Sequence, residues 1–305
     1  MESVDVSVVV PCYNAAHQIA DQLEALARQV NPPAFEVVVV DNRSTDGLDQ
    51  ACAPFAGSLR VRIVRAWERA GVCHARNEGV RHAAGATVLI CDSDDIVDEH
   101  WVRAMSAAVG QGGRIVAGEL VYDRLNSDLQ RQVLDGMGVW QPAPYMGYLP
   151  FAFGCCLGIT REDYLAIGGM DESMVGGSDD VDFSWRAQES GLAFVHAEEA
   201  QVHYRLRESP AAVLRQRRAY QRGDVLLWVR SMQAGRPVSG KSFKWSLQET
   251  LRAGVAGLRW IRMNPEQRLG WARRFGGALG SLEGHVRYRL LGRAPTVVLA
   301  HPSPQ

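Results

Sequence analysis

The chain has 305 residues, of which 47% are hydrophobic and 22% are charged, so it can bury a substantial core as one large domain or two smaller ones. Its formal net charge of −1 hides an asymmetry: residues 1–204 hold 14 arginines, no lysine and 29 acidic residues, whereas residues 205–305 hold 19 basic residues and 5 acidic ones. This distribution predicts a boundary near residue 205 and an anionic partner for the C-terminal part.

Cysteine usage and the N-terminal residues bear on where the protein works. The six cysteines form no CxxC motif, and Cys155 and Cys156 are too close in sequence for an ordinary structural disulfide, so we expect reduced thiols. The acidic N-terminal residues lead directly into an apolar strand, unlike a secretory signal peptide. No apolar run approaches the roughly 18 residues of a membrane span. We therefore expect a cytoplasmic protein, either soluble or peripheral at the inner face of the cell membrane.

Short apolar runs alternate with helical stretches through the first 100 residues. In chain order, the patterns predict a strand within 4–14 that ends at Pro11, a helix at 15–29, a strand within 35–47 that ends at Asp41, a strand at 60–66, a helix at 71–85 that ends at Gly85, and a strand at 86–95 that ends in carboxylates. The first helix carries its apolar stripe at Ile19, Leu23, Leu26 and Ala27. Buried strands separated by helices indicate an α/β fold with a mostly parallel, doubly wound sheet.

Polar residues follow three of these predicted strands. Asn14, Asp41 and the run Asp92–Asp95 fall where strands end, and ligands of parallel α/β sheets bind outside the carboxyl ends of the strands. The chain has neither GxGxxG after its first strand nor GxxxxGK[ST] anywhere. A bound diphosphate would therefore need another neutralising group. The carboxylates of "DSDD" could hold Mg²⁺ or Mn²⁺, which bridges phosphate oxygens.

A third acidic group, Asp179, Asp180 and Asp182, stands at a predicted helix start. One Asp would suffice to cap free backbone N–H groups there, so the other two are either solvated surface residues or serve a site that needs carboxylates. Repulsion from Asp179 and Asp182 would raise the pKa of Asp180, whereas the helix N-terminus opposes this, and the sequence does not decide between them.

Six segments together resemble the successive motifs of inverting family 2 glycosyltransferases of the bacterial type. They are, in order, "VSVVVPCYN", "VVVVDNRSTDG", "GVCHARNEGVRHAAG", "VLICDSDD", "GCCLGITREDYLAIGGMDE" and "GGSDDVDFSWRAQESG". The resemblance implies a GT-A-type, Rossmann-like sandwich over residues 1–205, with a donor-binding half at about 1–100 and an acceptor-side half at about 101–205. It further implies that a sugar passes from a nucleotide diphosphate to an acceptor hydroxyl in one displacement with inversion, usually with a divalent metal.

The resemblance also implies roles for individual residues. Asp41 matches the aspartate that binds the base, and Asp180 matches the catalytic base, with Asp179 where Glu is commoner. Asp94 is the expected metal ligand, joined by Asp92 and His203. The remaining expected donor contacts are Pro11, Tyr13, Asn14, Arg76, Asn77, Asp92 and Ser93, and the expected acceptor-side residues are Asp179, Gly154 and Trp185.

Each motif taken alone also permits a structural role. "DSDD" suits a turn, the three aspartates suit a helix cap, and His203 suits an ordinary strand end. Arg43 stands where relatives often have Gly, so the turn after Asp41 differs or Arg43 contacts the donor. Two other functions stay open: a non-catalytic protein that binds nucleotide sugars and tethers partners, and a nucleotidyltransferase. The latter is disfavoured because no glycine-rich, Arg-containing loop follows the first strand.

Residues 206–305 show a basic, helical pattern. Phe243, Leu247, Leu251, Val255, Leu258 and Ile261 form an apolar stripe, with Lys244, Arg252, Arg259 and Arg262 mostly off it. Asn264 and Pro265 predict the start of a further helix, whose apolar residues are Leu269, Phe275, Leu279, Leu282, Val286 and Leu290. These helices either pack on the catalytic domain or bind an anionic membrane surface. Nucleic acid is not an expected partner, because phosphates would repel the acidic domain.

Among partners, the resemblance favours a UDP-sugar donor and a lipid-linked, polymeric or small-molecule acceptor.

Overall fold

An eight-stranded sheet forms the centre of the computed structural model, which describes residues 4–135 and 142–300. The strands are β1 (Val6–Cys12), β2 (Phe35–Asp41), β3 (Val61–Arg65), β4 (Thr87–Cys91), β5 (Ile96–Val97), β6 (Arg114–Val121), β7 (Cys156–Thr160) and β8 (Ala193–His203). The helices are α1 (Ile19–Ala27), α2 (Leu48–Cys52), α3 (Val72–His82), α4 (Trp101–Val109), α5 (Asp128–Asp135), α6 (Arg161–Ala166), α7 (Asp179–Glu189), α8 (Pro210–Gln233), α9 (Phe243–Gly257) and α10 (Pro265–Gly284). Short 3₁₀ turns occur at Ala53–Phe55, Tyr145–Gly147 and Trp260–Arg262, and a π-helical turn at His285–Leu290.

Parallel pairing dominates the half of the sheet built from the first strands. The sheet order is β3-β2-β1-β4-β7-β6-β8-β5; β3, β2, β1 and β4 run parallel, as do β6 and β8, whereas β7 is antiparallel to both neighbours. Helices α1 and α4 cover one face and α3, α6 and α7 the other, each through a buried apolar cluster. Because both faces are covered, β1 is buried along its whole length. The α/β prediction is confirmed.

Three predicted details of the first 100 residues are wrong. Strand β1 continues past Pro11 to Cys12, which is tolerated because β1 pairs with β4 only as far as Val9 and has one neighbour beyond it. In α1, Ala27 is exposed whereas Gln22 is buried, where it donates to the carbonyl of Asp92 after β4 and accepts the N–H of Val97 in β5. Helix α3 ends at His82, before Gly85.

The C-terminal helices pack through small residues. Asn264 caps α10 with a capping box, as the sequence predicts. On α10, Gly280 lies so close to α8 that an added Cβ would stand 2.0 Å from the carbonyl oxygen of Arg218. The predicted apolar stripe of α10 is only partly correct, because Leu269 is buried whereas Val286 and Leu290, which follow in the π-helical turn, are exposed. Close backbone approach leaves little room for large side chains between these helices.

Helix α9 turns its small residues inward and its large apolar residues outward. Ser246 and Ala253 are buried, and the Ser246 hydroxyl lies 2.8 Å from that of Ser281 on α10. Leu258 is 84% exposed and Ile261, in the turn that follows, is 89% exposed. The predicted stripe therefore faces away from the rest of the molecule. The division of the chain near residue 205, into parts 1–205 and 206–305, stays a prediction.

Two remaining observations concern cysteines and membrane spans. All six cysteines are buried and unpaired, as expected from their spacing. Among residues 4–135 and 142–300, no helix combines the length and the apolar character needed to cross a membrane.

Candidate active site

The loops after β1 and β2 are joined by hydrogen bonds at the carboxyl edge of the sheet. Asn14 Oδ1 accepts from the backbone N–H of Thr45 at 2.9 Å, and the Asn14 N–H donates to Ser44 Oγ at 3.0 Å. Tyr13 is 67% exposed beside these loops, whereas Pro11 is buried within β1. Tyr13 and Asn14 thus reach the surface at this edge of the sheet, whereas Pro11 lies beneath it.

Asp41 is buried at the end of β2 with partners for both carboxylate oxygens. Oδ1 accepts from the N–H of Ser44 at 2.8 Å, and Oδ2 accepts from Arg65 at 2.8 Å and from the Trp67 indole at 2.9 Å. Burial opposes ionisation, but these hydrogen bonds outweigh it and lower the pKa of Asp41. The carboxylate is therefore held in its ionised form next to the end of β1, where Asp41 pairs with Cys12. Arg65 and Trp67 carried no sequence signal.

The turn after Asp41 differs from a glycine-containing one in a specific way. Arg43 adopts the left-handed region at φ 71°, a conformation that residues with side chains rarely occupy and that glycine adopts without strain. Its guanidinium donates to the carbonyls of Trp67 and Glu68 at 2.8 and 3.2 Å. Arg43 therefore links the turn after Asp41 to the loop that contains Trp67 and Glu68.

Arg76, on α3, joins the loop after β4 to the start of α7. Its guanidinium forms ion pairs with Asp92 and with Asp179, both at 3.0 Å, and it is buried. Burial opposes the charge, but the two carboxylates raise the pKa of Arg76 above its ordinary value. Gly154 makes room for it, since an added Cβ would lie 2.5 Å from Arg76 Nη1.

The three carboxylates in the first turn of α7 have different partners. Asp179 pairs with Arg76 as described, and Asp182 pairs with Arg186 at 2.8 Å. Asp180 has no ion-pair partner among the described residues, and its oxygens accept the N–H groups of Gly154 at 3.1 Å and of Val181 at 2.9 Å. Burial, followed by the negative charge of Asp179, raises the pKa of Asp180 to about 7. At neutral pH this carboxyl can therefore both accept and release a proton.

The "DSDD" loop brings together three carboxylates, one of which has an oxygen without a hydrogen-bond partner among the described residues. Asp95 is buried, accepts the N–H of Arg205 at 2.8 Å through Oδ1, and has no hydrogen-bond partner for Oδ2 among the described residues. Asp94 pairs with Arg207 at 2.8 Å. Burial and the neighbouring aspartates raise the pKa of both Asp94 and Asp95. Gln22 holds the loop by donating to the carbonyl of Asp92 at 3.2 Å.

One cluster of potential metal ligands occurs in the described ranges, and it differs from the predicted set. Ligand atoms of Asp92, Asp95 and Cys155 lie within 4.8 Å of one another. Burial raises the pKa of the Cys155 thiol well above its ordinary value, and thiols suit Mg²⁺ and Mn²⁺ poorly, so the carboxylates are the ligands that fit. The orphaned Oδ2 of Asp95 and the mutual repulsion of the aspartates are what a hard cation would relieve. The donor set therefore fits such an ion.

Four predicted site residues are largely or fully buried, and their roles stay predictions. His203, at the end of β8, is not in the metal-ligand cluster, and its Nδ1 lies 3.7 Å from Asp123. Asn77 is buried, with its amide donating to the Met170 carbonyl at 2.9 Å. Trp185 is fully buried and donates to the carbonyl of Leu149 at 2.9 Å, and Ser93 is 8% exposed. Trp185 and Asn77 thus hold neighbouring segments in place, and their contacts with acceptor and donor stay predictions.

Sequence reasoning missed the basic segment that closes over the acidic loop. Arg205 donates from Nε to the carbonyl of Asp94 at 2.8 Å, and Arg207 pairs with that residue's carboxylate. The signal that could have found them is the change from acidic to basic composition at residue 205. The C-terminal part thus begins by neutralising the acidic site.

The site thus consists of carboxylates gathered at the carboxyl edge of a covered, mostly parallel sheet, which is where ligands of α/β proteins bind. The model of the family described as "Glycosyl transferase family 2" matches residues 7–165, and that of "Glycosyl transferase family group 2" matches residues 87–263. The chain belongs to glycosyl transferase family 2.

Curated relatives share parts of the sequence. The glycosyltransferase AglE of Haloferax volcanii is 28% identical over 196 residues, covering 63% of this chain and 64% of AglE. The glycosyltransferase GlyG of Streptococcus pneumoniae serotype 4 is 34% identical over 101 residues, covering 33% of each chain. The amylovoran biosynthesis glycosyltransferase AmsB of Erwinia amylovora is 26% identical over 222 residues, covering 68% of this chain and 71% of AmsB. The chain thus spans a third of GlyG and just under two thirds of AglE.

Solved structures share the fold. The mannosyltransferase PcManGT from Pyrobaculum calidifontis, in complex with GDP-Man and Mn²⁺, superposes with a TM-score of 0.58 at 21% identity, covering 95% of this chain and 76% of that one. Residues 1–349 of TarS from S. aureus superpose with a TM-score of 0.55 at 18% identity, covering 93% and 91%. These similarities confirm the GT-A-type fold.

Proposed function

We propose that this protein transfers a sugar from a nucleotide diphosphate to an acceptor hydroxyl, with inversion and with Asp180 as general base. The proposal rests on the environment of Asp180, namely its lack of an ion-pair partner in the described part of the chain and its raised pKa. It is the one carboxylate of its turn without an ion-pair partner among the described residues, and burial beside Asp179 raises its pKa to about 7. A general base works best when its pKa lies near the operating pH.

The donor end of the site is supported by Asp41 and the surfaces around it. Its ionised carboxylate offers an acceptor to the N–H of a nucleobase, and exposed Tyr13 offers a ring face on which a base can stack. TarS has been solved in complex with UDP and with UDP-GlcNAc, and PcManGT with GDP-Man. We propose a nucleotide-sugar donor, with uridine as the base, for this chain.

The metal end is supported by the carboxylates after β4. Asp92, Asp94 and Asp95 would hold Mn²⁺ or Mg²⁺, with His203 as a further ligand if its side chain turns from Asp123. When bound, the ion would stabilise the negative charge of the leaving diphosphate. Arg207, which pairs with Asp94, is a cation at this loop that would be available to the diphosphate if that carboxylate held a metal ion. Arg76 keeps the Asp92 loop and α7 in a fixed relation.

The transfer step then follows from the residues of α7. The acceptor hydroxyl loses its proton to Asp180 as its oxygen attacks the anomeric carbon, and the bond from that carbon to the diphosphate breaks on the opposite side. The Gly154 and Val181 N–H groups hold the carboxylate in one orientation throughout. Asp179 keeps Arg76 occupied, so that Arg76 does not form an ion pair with Asp180 and lower its basicity.

Two other functions remain as outcomes of one experiment. Metal-dependent release of nucleoside diphosphate from a panel of nucleotide sugars would support the transferase. Binding of the same donors without any turnover would instead indicate a binding and tethering protein, and release of pyrophosphate from nucleoside triphosphates a nucleotidyltransferase. The matched variants are Asp180→Asn, which should stop release, and Asp182→Asn, whose carboxylate is already committed to Arg186 and which should retain it.

We also propose that the outward stripe of α9 and the following turn seats the protein on an anionic membrane at the cytoplasmic face. Leu251, Val255, Leu258 and Ile261 are between 62% and 89% exposed. Lys244, Arg252, Arg259 and Arg262 are also exposed and, within the described residues, form no ion pair. Apolar side chains flanked by unpaired cations match the chemistry of an acidic lipid surface.

Vesicle co-sedimentation tests this surface directly. The unmodified protein should bind vesicles rich in acidic lipid at low salt, and added salt should weaken binding by screening. Replacing Leu258 and Ile261 with Gln should abolish binding without lowering the melting temperature, because both side chains are exposed. Val297→Gln, at another exposed apolar residue, is the control. No binding by the unmodified protein would overturn the proposal.

A further inference from the structure

A cavity of about 570 Å³ lies among α5, α8, α9 and α10, apart from the carboxylates of the active site. Its lining includes Arg217 from α8, Arg273 and Arg274 from α10, and Trp245 from α9, with Lys241 just before α9. None of the residues assigned to donor, metal or base lines it. A volume of this size suits a small ligand, since ligand pockets occupy roughly 300–1,000 Å³.

The cations of the cavity outnumber the acids available to them. Glu249 lines the cavity but is committed to an ion pair with Arg274. The remaining acid of the lining, Glu266, is exposed in the first turn of α10. Behind the lining, Asp224 attracts Arg217 and Lys241, but its oxygens already accept from Ser178 and Gln221. Three cations, Arg217, Lys241 and Arg273, are thus left without an ion-pair partner among the described residues.

Each of these three cations retains capacity to donate. Arg217 Nε is buried and has no hydrogen-bond partner among the described residues. Arg273 donates from Nη1 to the carbonyl of Val133 at 2.9 Å, and burial together with Arg217 lowers its pKa. Lys241 donates to Gln221 Oε1 at 2.7 Å and lies 4.8 Å from the centre of the Trp245 ring. Because these like charges stand together around one space, an anion placed there would relieve their repulsion.

We infer that this cavity is a binding site for a phosphate ester, separate from the nucleotide-sugar site. Two guanidiniums provide paired N–H donors that match phosphate oxygens, and the lysine adds a third positive charge. Trp245 is 41% exposed and gives the cavity an apolar wall for the organic part of the ester. A bare anion would leave that wall unused, which favours an ester over inorganic phosphate. The ester is either a free molecule or the headgroup of a phospholipid.

Calorimetric titration of the full chain with glycerol 1-phosphate tests the inference. We expect the unmodified protein to bind it, and Arg217→Gln combined with Arg273→Gln to weaken binding about tenfold or more, because two charge-assisted donors are lost. Arg103→Gln combined with Arg293→Gln is the matched control, since it removes two exposed arginines outside both the cavity and the proposed membrane surface, and it should bind within about twofold of the unmodified protein. Donor binding is measured in parallel and should stay unchanged in both variants.

Two further experiments complete the test. One decides the source of the ester, and the other distinguishes a loss of binding from a loss of folding. Vesicles of phosphatidylglycerol displace glycerol 1-phosphate if the cavity takes a lipid headgroup, whereas vesicles of neutral lipid do not; a free ester is indicated if neither displaces it. If the glutamine variant melts early, Arg217→Lys with Arg273→Lys keeps the charge and should retain measurable binding. Absence of binding by the unmodified protein, or equal weakening in the control variant, would overturn the inference whether or not the protein proves to be a transferase.

Discussion

Asp180→Asn should stop sugar transfer while making the protein more stable at alkaline pH. The ordinary aspartate pKa of 3.8 is raised to about 7 here. A shift of roughly three units corresponds to about 4 kcal/mol of destabilisation when the carboxyl is ionised, an upper value because the side chain is partly exposed. Asparagine removes this charge. It also removes one of two acceptor oxygens, so that the N–H of Gly154 or of Val181 loses its partner at a cost of about 1–3 kcal/mol.

Removal of the charge stabilises the variant by more than the lost hydrogen bond destabilises it. At pH 8 the variant should therefore be more stable than the unmodified protein by about 1 kcal/mol or more, which raises the melting temperature by about 2–4 °C. A raised carboxyl pKa means that the native state binds more protons than the unfolded state between pH 4 and 7. The stability of the unmodified protein therefore falls as the pH rises through that window. The stability advantage of the variant should accordingly shrink as the pH is lowered from 8 to 4.

Thermal unfolding at several pH values, together with transfer rates at pH 8, is the assay. We expect donor affinity to be retained and the rate to drop roughly a hundredfold or more, because only the base is removed. Asp182→Asn is the control and should lose stability, since Arg186 loses its ion pair. Near-normal turnover would refute the assignment of the base. A stability advantage that does not change with pH would refute the explanation of its pKa.

Three further predictions concern the same site. Asp94→Ala should abolish the Mn²⁺-dependent part of UDP binding in calorimetry and leave the fold intact; equal metal-dependent affinity would remove Asp94 from the metal site. The acid limb of the kcat/KM profile should fall near pH 7, and Asp179→Asn should move it to lower pH by about half a unit or more, because a neighbouring negative charge is removed; an unmoved limb would contradict this. Arg207→Gln should weaken UDP binding about tenfold with Mn²⁺ present, and unchanged affinity would exclude contact with the diphosphate.

The strands that position the site could be predicted because their signal is local. The apolar runs that form β2 and β4 give both the strands and the acidic residues at their ends, Asp41 and Asp92. The start of α7 was also visible, because three carboxylates follow two glycines. Which of them is unpaired was not predictable, since the partner of Asp179 is Arg76, 103 residues away in sequence.

Other features could not be predicted from the sequence, because local periodicity does not show which residues of the chain a helix or a loop contacts. The spacing of apolar residues located α9 but did not show that glycines and alanines of α9 and α10 take the inner face and leave Leu258 outside. Trp185 and Asn77 stand at motif positions, but the motifs did not show that both are buried with their N–H groups donating to backbone carbonyls. Arg207 reaches Asp94 from a segment 113 residues later, so composition hinted at the charge and only the fold shows the contact.

The most direct test of the central claim is the anomeric configuration of the sugar released from a nucleotide-sugar donor. Proton NMR, recorded as the protein turns over an α-linked donor with Mn²⁺, distinguishes the anomer formed first from the one that appears by later equilibration. A metal-dependent reaction with Asp180 as base predicts the β anomer first and no product from Asp180→Asn. An α anomer formed first, or equal release by Asp180→Asn, would contradict the account.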